Sequence, residues 1–486
     1  MSTRLRTSPA GQAAVRTAAR LVLAAALLGA AGCSTYADRH ERLRTDLAAG
    51  RFDEALSGLD AAARDQDRLA NLLEKGLVLH YADRWAESNA VFEEAELLAA
   101  DLYTKSVSEA VLSLVTNDGA IAYRAAPFEM AMVPYYRALN YVYLGDREEA
   151  VVEARKAELH LREYAEIARA LRDGGEDGEA GAEALNNDVL DNDAFLHYLR
   201  AMLLDWGGET NDAFIAYRQA AQAYRDSEGL LAVATPPWLG ADLLRTGTAL
   251  GFAAELDELR TQLPELLPAS PPPAGTGEVV LFLETGFAPR RISRAADVPI
   301  FKSDGRRDDR DAWGLSLRHR YEYGWDRDQK IDYWLRFALP ELVDEPSAVA
   351  GARVSVGTIG GRTRAVPVED VAGRSRQYFQ DAQGRIVLKT IVRALAKYAA
   401  KEQAEGQGQV AGLLVNLLGA ATEQADTRNW LTLPRGIAMA RLALPPGTHD
   451  LRVDLVDAQD RRLETREIAG VAVVEGGWTF LSRRIF

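Results

Sequence analysis

The sequence predicts an α+β chain in two parts, an array of α-helical hairpins followed by a β-rich, sandwich-like half with embedded helices. Three observations carry this. Four turn signals, each followed by a charged first turn and a small residue, punctuate an Ala-, Leu- and Glu-rich stretch from Asp38 to Leu263. A proline-rich run, Pro264 to Gly277, ends that pattern. Beyond it, from Glu278 to Phe486, apolar and polar residues alternate with period two.

The first element precedes both parts. Residues 1–32 carry Arg4, Arg6, Arg16 and Arg20 without an acidic residue, then the apolar run Leu21 to Leu28, then small residues up to Cys33, the only cysteine. A positive start, a short apolar stretch and a small-residue cleavage site make a secretory signal peptide. Cysteine directly after that site resembles the lipid-modified first residue of bacterial lipoproteins, so cleavage is expected between Gly32 and Cys33. The lipid on Cys33 then holds residues 33–37 at a membrane. Ser34 stands where an inner-membrane retention signal shows Asp, which by the same resemblance favours an outer-membrane lipoprotein facing the periplasm. An ordinary signal peptide with a chance cysteine is the alternative.

Composition narrows the function classes. At 48% hydrophobic and 26% charged, the chain is an ordinary globular one. Its formal charge of -14 falls to -18 once the four arginines of the signal peptide are removed. Such a surface repels nucleic acid, so that partner is excluded. With Cys33 acylated no thiol remains, which excludes disulfides, Cys-ligated zinc and a cysteine nucleophile.

The helical region, residues 38–263, has turns at Gly50, Asp83, Gly145 and Gly208. After each comes a stripe at i, i+4, i+7: Ala55/Leu59/Ala62, Ser88/Phe92/Ala95, Ala150/Ala154/Ala157 and Ala213/Tyr217/Ala220. The first step, 33 residues, matches the tetratricopeptide period of about 34. The next two, of 62 and 63, have room for one repeat and a further helical pair. A last pair is expected over Trp238–Gly251 and Ala253–Leu263. A non-repetitive bundle is the alternative reading. Pro134 lies inside the apolar run Phe128–Leu144, so that helix either starts there or kinks.

Residues 264–277 read as a stiff linker. In residues 278–486, strands are expected at Glu278–Leu283, Arg290–Phe301, Lys330–Ala338, Ala352–Val356 and Thr363–Val368. Residues 377–421 form a helical insertion, whose Val410–Ala421 packs in a core or lies against a membrane or partner, the core being favoured. The last fifty residues read as four antiparallel strands, with a turn at Pro445-Pro446-Gly447.

No catalytic motif emerges: there is no Gly-x-Ser-x-Gly elbow, no phosphate-binding loop and no paired histidine spacing among the six histidines. Asp304, Asp308, Asp309 and Asp311 are interleaved with Arg306, Arg307 and Arg310, a solvated loop in preference to a calcium site. The expectation is a non-enzyme with no cofactor and no metal. Aromatics crowd Trp313–Trp334, as core or as a recognition platform.

Two stretches carry a resemblance: Thr116-Asn117-Asp118-Gly119 with Pro127-Phe128-Glu129 and Tyr135-Tyr136-Arg137-Ala138-Leu139-Asn140-Tyr141, and Glu423 to Pro434 with Asp426, Arg428 and Trp430. Together with Glu284–Pro289 they resemble a family of uncharacterised bacterial lipoproteins with tetratricopeptide-like N-terminal halves. Members are often encoded beside lipoproteins of the peptidoglycan-synthase-activator type. The resemblance implies a scaffold that binds periplasmic or outer-membrane proteins in envelope assembly. Asn117, Asp118, Tyr136, Asn140 and Tyr141 are the candidate residues of a partner-binding groove. Asp426, Arg428 and Trp430 are candidates for a second surface, or for a buried ion pair under a packed tryptophan where the domains meet. A peptidoglycan-binding or hydrolytic C-terminal module is the rival reading.

Overall fold

The computed structural model describes residues 35–104, 121–173, 192–267, 270, 272–301, 331–357, 361–405 and 424–486. The signal peptide, Cys33, Asn117, Asp118 and Val410–Ala421 lie outside the described residues.

After the short α1 (Tyr36–Arg39), five helical hairpins follow in order among the described residues. They are α2 (Glu41–Ala48) with α3 (Phe52–Ala62), α4 (Arg68–Tyr81) with α5 (Trp85–Thr104) and α6 (Pro127–Leu144) with α7 (Arg147–Asp173). Then come α8 (Ala194–Trp206) with α9 (Thr210–Asp226) and α10 (Leu239–Leu250) with α11 (Ala253–Gln262). Each turn contains one residue of positive φ, namely Gly50, Asp83, Gly145, Gly208 and Gly251. Asp is among the few side-chain-bearing residues that tolerate that conformation, which is why the second hairpin can turn without glycine.

The predicted stripes face inward. Ala55, Leu59, Ser88, Phe92, Ala95, Ala150, Ala154, Ala157, Ala213, Tyr217 and Ala220 are all buried, and Ala62 is half-buried. Small residues let paired helices approach closely. At the tightest point a Cβ on Gly76 of α4 would lie 2.5 Å from the Phe92 ring of α5. Part of each long step between turns is taken up by a lengthened second helix, α5 at 20 residues and α7 at 27, and the remainder, where a further helical pair is expected, lies largely outside the described residues.

Helix α6 runs unbroken through Pro134 from Pro127, whose missing N–H costs nothing at the first helical position. Every residue from Pro127 to Asn140 is buried. A helix buried on all sides belongs in the middle of a structure, and α6 sits there, its few polar residues Glu129, Arg137 and Asn140 each hydrogen-bonded.

Among the described residues the β-rich half contains two four-stranded sheets and a long hairpin. The first sheet has the order β10-β1-β7-β6, from β1 (Gly277–Thr285), β6 (Val366–Glu369), β7 (Gly436–Leu444) and β10 (Trp478–Ile485). The second is β5-β4-β8-β9, from β4 (Gly351–Val356), β5 (Arg362–Arg364), β8 (Gly447–Val456) and β9 (Arg462–Val473). β2 (Arg290–Phe301) and β3 (Ile331–Val343) pair with each other, and the helix α12 (Val371–Glu405) packs against β3.

Alternation along β1 divides its side chains between two cores. Val279, Leu281 and Leu283 meet the second sheet through Val354, Val453 and Leu455. Val280 and Phe282 point the other way and join the apolar core of the helices. The first sheet is thus a middle layer, and a single core runs from Tyr36 through α6 to Phe480.

The C-terminal strands depart from the expected four-stranded antiparallel unit. β7 and β8 belong to different sheets, and β10 runs parallel to β1. Pro445 and Pro446 have no N–H to donate to a ladder, so the chain crosses between sheets there instead of folding into a hairpin.

Gly76→Ala tests the helix packing. Helix propensity alone favours alanine by about 1 kcal/mol. The clash with Phe92 reverses the sign, giving a net loss of about 1–3 kcal/mol by denaturant titration.

Candidate functional site

The chemistry-bearing side chains converge where the helical array meets the β-rich half. The residues 424–435 connect the α12 region to β7 and thread between the two. Their backbone is not paired in a sheet, so its N–H groups need acceptors, and helix carboxylates provide them.

Glu74 of α4 is fully buried and accepts hydrogen bonds from the Leu431 N–H, the Thr432 N–H (3.1 Å) and the Thr432 hydroxyl. Glu129 of α6 accepts from the Trp430 N–H (2.8 Å), the Tyr123 hydroxyl (2.6 Å) and the Ala126 N–H (2.6 Å). Glu284, at the end of β1, is buried among hydroxyls. Tyr135 (2.9 Å), Tyr136 (3.1 Å), Ser482 (2.7 Å) and Tyr81 all donate to it, and Arg484 lies 3.7 Å away.

Two further ion clusters lie along the same seam. Arg441 of β7 pairs with Asp242 of α10 through two hydrogen bonds, 2.6 and 2.9 Å, reaches Glu278 at 2.7 Å and lies 4.5 Å over the Trp478 ring. Arg374 of α12 bridges Glu369 of β6 (2.7 Å) and Asp193, the N-cap of α8 (3.2 Å).

The environment shifts these groups in opposite directions. Burial drives the Glu74 carboxyl up to about 8, against the pull of its hydrogen bonds to Thr432 and Leu431. Burial also pushes Asp426 upward, but the Arg428 guanidinium outweighs it and holds the carboxyl below its ordinary value. Burial lowers His80, whose Nδ1 donates to the Asn140 side-chain oxygen (2.6 Å).

The structure places the sequence-nominated residues as follows. Tyr136 is fully buried on Glu284. Asn140 is fully buried and donates to Ser88 (2.9 Å) and Asn89 (2.8 Å). Tyr141 is half-buried at the end of α6. Asp426 and Arg428 form a two-bonded ion pair, both bonds at 2.8 Å, and Arg428 also donates to the carbonyls of Gln66 (3.0 Å) and Ile121 (2.6 Å). Trp430 is fully buried against Phe92 and Tyr136. Tyr136, Asn140 and Trp430 are therefore interior residues: Tyr136 and Trp430 join the two halves, while Asn140 ties α6 to α4 and α5. Of the Asp426, Arg428 and Trp430 group, Arg428 and Trp430 are buried and Asp426 is half-buried, with Arg428 over the Tyr123 ring and Trp430 packed apart from the ion pair.

Glu74, Glu129, Glu284, Asp242 and Arg441 were not nominated. A signal was present for two of them. Glu284 continues the inward alternation Val280, Phe282, and Glu74 interrupts the apolar face of α4 between Leu73 and Leu77. Among the described residues no group of three or more His, Cys, Asp or Glu side chains is placed to hold a metal. The seam reaches the surface at a groove of about 550 Å³ lined by His40, Arg44, Phe287, Arg290, Glu345 and Leu431. There Arg44 lies 4.2 Å over the Phe287 ring and donates to Glu345 (3.3 Å).

No protein-family model matches this chain, and no curated protein matches it. Among solved structures, it is similar to the nearly identical TPR-like repeats of a kinesin light chain candidate from Podosopora anserina. The identity is 16% and the TM-score 0.28, over 47% of this chain and 92% of that one. A single-substitution variant of the same protein gives the same values. The array is defined by its own five hairpins and not by this likeness.

Two outcomes test the seam. Arg441→Met leaves buried Asp242 with only Tyr198 (2.9 Å) and Arg245 (3.3 Å), and lowers stability by about 2–3 kcal/mol. Adding Asp242→Asn restores part of that loss in a double-mutant cycle. For Glu74, the raised value means that the folded state keeps a proton which the unfolded chain releases. Its contribution is full below about 4.5 and is lost as pH rises through about 8. Denaturation midpoints should fall over that window, and less steeply in Glu74→Gln.

Proposed function

We propose that this chain is a lipid-anchored scaffold of the bacterial outer membrane. It is acylated on Cys33, faces the periplasm and holds other envelope proteins in cell-envelope or peptidoglycan assembly. The signal sequence ending at Cys33 supports the location. No described helix is long and apolar enough to cross a membrane, and an acyl anchor needs none.

One observation carries the scaffold reading. The first helices of the hairpins spend their side chains on the chain's own β-rich half, through Glu74, Glu129, Tyr135, Tyr198 and Asp242. The second helices keep aliphatic side chains in solvent: Leu97 on α5, Val152 and Leu159 on α7, and Ile215 on α9. A rigid body with apolar side chains spaced along successive helices suits grip and not turnover. Binding of wall glycan by the β-rich half is the second reading, and the groove at Phe287, with Arg44 and Arg290 beside it, is what favours it.

Two measurements check the proposal. Radiolabelled palmitate should mark the wild-type chain and not Cys33→Ala, and the variant should leave the membrane fraction. Photocrosslinkers at Val152 and Ile215 in intact cells should capture envelope proteins, while one at Leu463 of β9 should not. Sedimentation with peptidoglycan, abolished by Arg290→Gln with crosslinks absent, would favour the glycan reading.

A further inference from the structure

The middle of helix α12 is turned inside out. Its first turns bury Val371, Ala372 and Phe379, but over Leu388–Ala394 the buried positions are Thr390, Arg393 and Ala394, while Leu388, Ile391 and Val392 are 59%, 41% and 43% exposed. At 100° per residue the three aliphatic residues form one stripe, with Arg385 and Lys389 along its flank. Arg385, Lys389 and Arg393 hold polar contacts within the chain, so they are fixed in place beside it.

The charge of this helix runs against that of the protein. From Ala382 to Lys401 the sequence has Arg385, Lys389, Arg393, Lys397 and Lys401 and no carboxylate, in a chain of net charge -14. In sequence the helix is followed by Val410–Ala421, whose single polar residue is Asn416 and which is too short to span a bilayer. A basic helix with an exposed aliphatic stripe beside a short apolar run is the pattern of a helix lying in a membrane interface. A second copy of the chain suits the stripe less well, because pairing identical helices brings one basic flank against another.

We propose that α12 is a membrane-surface helix. Leu388, Ile391 and Val392 enter the acyl boundary of a bilayer, and the basic flank meets its anionic headgroups. The envelope location proposed above determines only which membrane is met.

The test uses the mature chain, residues 33–486, carrying Cys33→Ser and so neither signal peptide nor acyl group, in flotation with vesicles of phosphatidylethanolamine and phosphatidylglycerol or of phosphatidylcholine alone. The chain should float with the anionic vesicles and less so at high salt. Leu388→Glu with Ile391→Glu should cut the floated fraction about ten-fold. The thermal melt should be unchanged, because both side chains are exposed. The inference falls if the parent does not float, if the double variant floats equally well, or if the parent is a dimer that the double variant splits. Because the tested chain has no acyl group, failure here leaves the palmitate result standing, and the reverse holds too.

Discussion

The structure depends on the burial of residues 428–433 between the helices and the first sheet. An unpaired backbone segment inside a protein is costly unless each N–H finds an acceptor. Here Glu129 takes the N–H of Trp430, and Glu74 takes those of Leu431 and Thr432. The acidic side chains in turn are costly to bury in charged form; the backbone donors offset part of that cost, and Glu74 avoids the rest by holding its proton. Neither group is tolerable without the other. The segment and the helices are therefore held in one register, with Trp430 filling the space against Phe92 and Tyr136.

This reciprocity makes the two halves one cooperative body. An array of helical hairpins ordinarily leaves one face open for a ligand. In this chain the first helices give that face to their own C-terminal half, which leaves the second helices, the surface groove and part of α12 facing outward. Buried ion pairs such as Arg441 with Asp242 add little net stability compared with apolar packing, and their gain is in fixing one arrangement. Arg441 can meet Asp242, Glu278 and the Trp478 ring together only when β7, α10, β1 and β10 are all in place.

What the sequence made legible follows from what is local. The turns at Gly50, Asp83, Gly145 and Gly208 were readable because a left-handed residue and a charged first turn leave a mark within a few positions. The stripes beginning at Ala55, Ser88, Ala150 and Ala213 were readable because helix period fixes a face. What covers that face is not local. Tyr136 and Asn140 lie on α6 where a groove was expected; Glu284, far away in sequence, covers Tyr136, and His80, Ser88 and Asn89 of the neighbouring helices enclose Asn140. The same limit hid the sheet order. Alternation marks β7, β8 and β10 as strands, but pairing β10 parallel to β1 depends on residues at opposite ends of the β-rich half.

The proposed anchor and the seam are mechanically linked. In sequence Cys33 stands three residues before Tyr36, so an acyl group there holds α1 within about 10 Å of the headgroups. Helix α1 is itself fixed: Thr35 and Asp38 cap it reciprocally, and Arg39 pairs with Asp67. The Ala37 N–H bonds the Thr427 hydroxyl at 3.3 Å, one residue before Arg428. A tether this short restricts the tilt of the whole body. The orientation of the outward-facing aliphatic residues relative to the membrane would then be set by the fold and not by a flexible leader.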